Sequence, residues 1–229
     1  MTNNFRKQTA KLWHEIAQIP QDDFFVGNDN KKPENIIEDA RTVAPGLIGA
    51  NYRQGGIVLM AVNPGGGGDA YTRPSIQDAE LYPLLRKFRD AESEEEMVSL
   101  HNDVQDCWMR MQKQFNIGQK LLPAVLKACN ATFEDVAYLN IFLMRTKNDQ
   151  APTLPMYQAS WNLAVKRQLD ILKPAHIILL GAKTGYAFER MGYSGFAVVH
   201  PCLKRRIGDT SLHPEAITVL ENIQKSLKK

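Results

Sequence analysis

The strongest feature of the hydrophobic pattern is the run Ile57 to Val62, six consecutive apolar residues between Gly56 and the sequence Asn63-Pro64-Gly65-Gly66-Gly67-Gly68. It is too short for a core helix and rich in strand formers, so it predicts a buried parallel strand. Pro64 has no N–H to give a sheet ladder, which sets the expected end of pairing at Asn63. Similar short apolar runs predict strands over Val136–Phe142, His176–Gly181 and Ala197–His200. Between them the spacing of apolar residues is helical. Phe5, Leu12, Trp13, Ile16 and Ile19 mark a first helix over 4–19, stopped by Pro20. Further helices are predicted over Asn35–Arg41, over Ser75–Arg89 with a break at Pro83, from Ser93 to about Phe115, and over Ile117–Cys129. Tyr157–Leu172, Lys183–Met191 and Glu215–Leu227 complete the set, while Gln21–Pro33 reads as loop. Strands alternating with helices specify a mostly parallel sheet, here four-stranded, with helices on both faces.

At 229 residues and 44% hydrophobic content the chain can bury one sizeable core, and no internal repeat or linker divides it. Residues 1–229 are therefore expected to form a single α/β domain. The net charge of +3, from 28 basic and 25 acidic residues, is too small to imply nucleic-acid binding by itself. No apolar run approaches the ~18 residues of a membrane helix. The first residues lack the apolar stretch of a secretion signal. Cys107, Cys129 and Cys202 are widely spaced, which disfavours a structural zinc site or an iron–sulfur cluster and fits a reducing compartment. The expectation is a cytoplasmic, monomeric protein with no metal, no cofactor and no membrane partner.

Several attractive motifs fail on detail. The acidic run Asp90 to Glu96 is better explained as a capping box between Ser93 and Glu96 than as a carboxylate cluster. Gly181-Ala-Lys-Thr-Gly lacks the Gly-Lys-Ser/Thr of a phosphate loop, and no Gly-x-Ser-x-Gly elbow is present. What remains is positional. Asn63, Asn140 and His200 each fall at or near the carboxyl end of a predicted strand, where an open α/β sheet binds its ligands.

Asn63-Pro64-Gly65 after an apolar strand, with His200-Pro201 near the C-terminus, resembles the two signature motifs of the uracil-DNA glycosylase superfamily. The mismatch-specific and single-strand-selective branches are the nearest in motif. The resemblance extends to Leu139-Asn140 and to Ile178-Leu179-Leu180-Gly181, and covers roughly residues 56–206 in order. Ala61-Val62 stands where the family has Gly-x, and Cys202 where it has Ser. The resemblance implies a three-layer α/β/α fold, DNA as partner, and hydrolysis of the N-glycosidic bond of uracil or a related damaged base. It implies that Asn63 orients the attacking water, that His200 donates an N–H to the base as it becomes an anion, and that Asn140 reads the base edge. Tyr71, the aromatic nearest the glycine loop, is a candidate for stacking on the base, with Gly65 and Gly66 allowing its close approach; a rim or core tyrosine explains it equally. Leu203 followed by Lys204, Arg205 and Arg206 fits a wedge with a phosphate clamp, or a solvated basic turn. Asp69 rivals Asn63 for water activation, or serves the loop as a turn residue. A catalytically silent module that keeps the pocket for a base, nucleotide or nucleic acid remains the alternative. A phosphate-handling enzyme using the glycine loop is a third possibility without other support.

Overall fold

The computed structural model describes residues 3–34, 38–65, 77–112, 116–204 and 212–228. Strand β2 (Ile57–Ala61) lies in the middle of a five-stranded sheet of order β1-β3-β2-β4-β5. Strands β3 (Val136–Asn140) and β4 (His176–Leu180) flank it in parallel, so that Ile57 is level with both Val136 and His176. Strand β5 (Val198–Leu203) extends the sheet in parallel beyond β4. All five residues of β3 are buried, as are Val58, Leu59 and Met60, so both faces of the sheet centre are covered, as parallel pairing requires.

The sheet has one more strand than the pattern predicts. Strand β1 (Leu47–Ile48) pairs antiparallel with β3, Leu47 opposite Tyr138. Two residues give no periodicity to read. Tertiary bonds hold it: Trp13 Nε1 donates to Gly46 O at 3.2 Å and Gln168 Nε2 to Pro45 O at 2.6 Å. Gly46 has φ +102°, and a Cβ there would meet Tyr138 O at 2.6 Å, so the approach to β3 demands glycine.

The helices are α1 (Asn3–Ala17), α2 (Gln21–Phe25), α3 (Tyr82–Arg89), α4 (Glu94–Met111), α5 (Asn116–Ala128), α6 (Leu154–Ser160), α7 (Lys166–Leu172), α8 (Ala182–Arg190) and α9 (Pro214–Leu227). Helix α2 corrects the loop expected over Gln21–Pro33. Phe24 and Phe25 are fully buried, with rings edge-on to Phe142 at 6.4 and 5.5 Å. A single turn is too short for its spacing to register as helix. Helix α4 starts as predicted, with Ser93 Oγ accepting from Glu96 N at 3.1 Å. Pro83 does not break the segment before it. A wide turn over Gln77–Leu81 runs directly into α3, and Pro83 falls in the first turn of α3, where its fixed φ suits the helix.

Strand β5 is longer than predicted and bulged: Ile178 is level with His200 but Leu180 with Leu203. Val198 N donates inward to Ala175 O. By alternation Pro201 turns its donorless nitrogen to the open edge, the one side of a sheet that tolerates proline.

Candidate functional site

Strands β2 and β3 end side by side, Ala61 level with Asn140. Their pairing outlasts the strands, since Ile141 N donates to Ala61 O and Phe142 N to Val62 O, both at 2.9 Å. Asn63 therefore sits two residues beyond the end of β2 and not on it, at the carboxyl edge of the sheet. Its Nδ2 donates to Pro64 O at 3.2 Å and to Thr146 Oγ1 at 3.3 Å. The Thr146 hydroxyl donates its own hydrogen to Gln150 O at 2.6 Å, so toward Asn63 it acts as acceptor. Both amide hydrogens of Asn63 are thus engaged by protein acceptors, and Oδ1 is held in place as an acceptor with no partner among the described residues.

Asn140 closes β3 beside it. The residue is only 2% exposed, and its amide makes no hydrogen bond to any described residue. A buried amide of this kind is costly unless something completes it. Asn63 and Asn140 therefore share one corner of the sheet, as expected.

A buried charge pair between Arg145 and Asp78 was not anticipated. Arg145 Nη1 meets Asp78 Oδ1 at 2.5 Å, Nη2 donates to Gln77 Oε1 at 2.7 Å, and the guanidinium lies 4.5 Å from the centre of the Tyr82 ring. Arg145 and Asp78 are both buried. Burial raises the Tyr82 phenol, an effect that the Arg145 charge partly offsets. The pair fastens the segment that returns from the glycine loop to the exit of β3. The sequence offered one hint, a lone Arg after the wholly buried run Ile141–Met144. The partner lies 67 residues away, and no spacing names it.

His200 does not join this corner. It is level with Ile178 on β4, which is level with Leu59 on β2, four residues short of Asn63 and two strands over. At ~3.3 Å per residue and ~4.8 Å per strand, the Cα atoms of His200 and Asn63 are roughly 16 Å apart. The His200 ring turns the other way. Its Nε2 is 3.0 Å from Nδ1 of His176, at the start of β4. The ring centres are 5.2 Å apart and the planes 22° apart, which with so short an N···N distance describes two nearly coplanar rings joined edge to edge. Burial, then the neighbouring His176, pulls His200 down to about 4, and burial also lowers His176.

Leu203 is likewise elsewhere. It is fully buried opposite Leu180, so it is a core residue and no wedge. Lys204 is exposed and pairs with Glu215 at 3.1 Å. Gly65 is exposed, and a Cβ there would meet nothing within 4 Å, which leaves its surroundings open. Gly66, Asp69, Tyr71, Arg205 and Arg206 lie outside the described residues. Among the described residues no group of three or more His, Cys, Asp or Glu is arranged to hold a metal ion, and no helix is long and apolar enough to cross a membrane. Comparison of the chain with protein families and with curated proteins finds no match.

Proposed function

We propose that this chain is a base-excision glycosylase of uracil-DNA glycosylase-like fold, which hydrolyses the N-glycosidic bond of uracil or a related damaged base in DNA. The observation that carries the reading is the locked amide of Asn63, whose hydrogens are committed to Pro64 O and Thr146 Oγ1. A flipped nucleotide entering this corner brings its sugar to an amide oxygen that is already oriented. Asn63 Oδ1 accepts a hydrogen from water and aims the oxygen at the anomeric carbon as the bond to the base breaks. An amide takes up no proton near neutral pH, so Asn63 positions water and is not a general base. The sugar carries the oxocarbenium charge and the base leaves as an anion.

Asn140 completes its hydrogen bonding on the base. Uracil needs an acceptor toward N3–H and a donor toward O4, and cytosine needs the reverse. Since no described neighbour fixes the Asn140 amide, that residue serves either edge, and the choice between the two bases falls to other groups in the pocket.

The engagement of His200 with His176 favours a second reading, a catalytically silent base-binding module, because the donor expected to meet the departing base is turned away. One assay separates the two. Uracil-containing single- and double-stranded oligonucleotides are incubated with the protein and then with alkali. Strand breaks at uracil support excision. Their absence, with retained affinity for an oligonucleotide carrying an unpaired uracil, supports the silent module.

A further inference from the structure

A second concave site lies at the opposite end of the sheet. A cavity of about 290 Å³ is lined by α1, β1, α4 and the turn before β3, with Arg6, His101, Gln105, Asp106 and Glu134 among its walls. The ~13 Å length of β3 separates it from Asn140. Its floor is fixed by a chain of bonds. Ile48 N donates to Gln105 Oε1 at 2.6 Å, which settles which end of that amide is oxygen. Gln105 Nε2 is then the donor toward His101 Nε2, 3.4 Å away. That nitrogen must carry the lone pair, so the ring proton of His101 is on Nδ1.

His101 is more than nine-tenths buried, and burial holds its ring neutral, down to about 4. Nδ1 has no hydrogen-bond partner among the described residues, yet it is not among the sealed, unpartnered polar atoms of the interior. It is therefore an N–H donor that is not sealed in the interior, on a ring that lines the cavity. Around the mouth, Arg6 supplies a positive charge, close enough to act on the His101 ring, and Asp106 and Glu134 supply negative ones. All three are exposed, and no ion pair joins Arg6 to either acid. Charges of both signs, left unmatched around one donor, are complementary to a molecule that itself carries both.

We propose that this cavity binds a small zwitterion of the α-amino-acid class. The carboxylate accepts from His101 Nδ1–H and faces Arg6, and the ammonium faces Asp106 and Glu134. The site is independent of the Asn63 corner and of any chemistry there.

The test uses the full chain and the twenty common amino acids, added singly at millimolar concentration, with acetate and methylammonium as controls. At least one amino acid should raise the thermal midpoint in a saturable way, because a ligand that binds only the folded state stabilises it. The same compound should shift the His101 Nδ1–H signal in a ring-selective ¹⁵N spectrum. Arg6→Ala removes an exposed side chain and should weaken binding by about tenfold or more, the scale of one bond to a charged group. His101→Phe should abolish binding; should that variant fail to fold, Arg6→Ala with the ring signal decides. The proposal is overturned if no amino acid moves the midpoint or the signal, if affinity is unchanged in Arg6→Ala, or if acetate or methylammonium binds as tightly as the zwitterion.

Discussion

His200 Nε2 and His176 Nδ1 share a single hydrogen, 3.0 Å apart across strands β5 and β4. An N–H···N bond needs one donor and one acceptor, so protonating both rings breaks it. His200 is held at about 4 in the folded protein, against ~6.5 for an unperturbed histidine. Between those values the unfolded chain binds a proton that the folded chain refuses. Stability is therefore full above pH ~6.5 and falls as pH drops toward 4. The buried ring of His101, also near 4, adds a loss in the same window. Urea unfolding at pH 7.5, 5.5 and 4.5 should show this decline, and His200→Phe should reduce it. A titration of the His200 ring with a midpoint near 6.5 would refute the coupling.

The same pairing fixes what His200→Ala does to excision. A ring turned from the Asn63 corner adds nothing there, so single-turnover rates on a uracil oligonucleotide should stay within about threefold of wild type while stability falls. Removing a true oxyanion donor typically costs ~10²–10³ in rate. A loss of that size would mean that the ring reaches the base during reaction.

Asn63 and Thr146 should behave as a unit. Asn63→Ala should lower the single-turnover rate far more than it lowers DNA affinity, since it removes an interaction with water and not with substrate. Thr146→Val lets the Asn63 amide turn and should lower the rate in the same direction, with Thr146→Ser restoring most of it. Equal losses in rate and affinity for Asn63→Ala would make it a binding residue.

The buried Arg145–Asp78 pair makes a stability prediction that needs no functional reading. Arg145→Met alone removes the cation that faces the buried Asp78 carboxylate and should cost about 3–5 kcal/mol. The double variant Arg145→Met, Asp78→Leu should recover much of that loss. Chemical denaturation of the four combinations measures it, and additive losses would deny the coupling.

After the His-Pro motif, neighbouring residues should separate cleanly. Leu203→Ala opens a core cavity and should destabilise by about 2–5 kcal/mol, without a direct effect on DNA contact. Replacing Lys204, Arg205 and Arg206 by Ala should leave stability nearly unchanged. If these cations meet phosphates, each lost contact lowers the log–log salt slope of DNA binding by ~0.7–0.9. An unchanged slope would leave the cluster a solvated turn.

The strands β2, β3 and β4 and most of the helices could be read from the chain because each is a local pattern: an apolar run, a 3.6-residue spacing, a Ser93 cap. The placement of Asn63 and Asn140 at one edge followed from two parallel strands ending together, which alternation with helices already specifies. His200 could not be placed this way. Its position at a strand end depended on where β5 stops, and the strand runs three residues further, through a proline that only an open edge accepts. Whether Leu203 points to the core or to solvent was decided by the bulge before it. A one-residue change of register exchanges the faces of a strand and leaves no mark on composition. The Thr146 lock on Asn63, the Arg145–Asp78 pair and the tautomer of His101 all join residues distant in the chain or orient a side chain through a partner on another element. Sequence determines the elements through short-range sterics and burial; which polar atoms face one another is decided only when those elements pack.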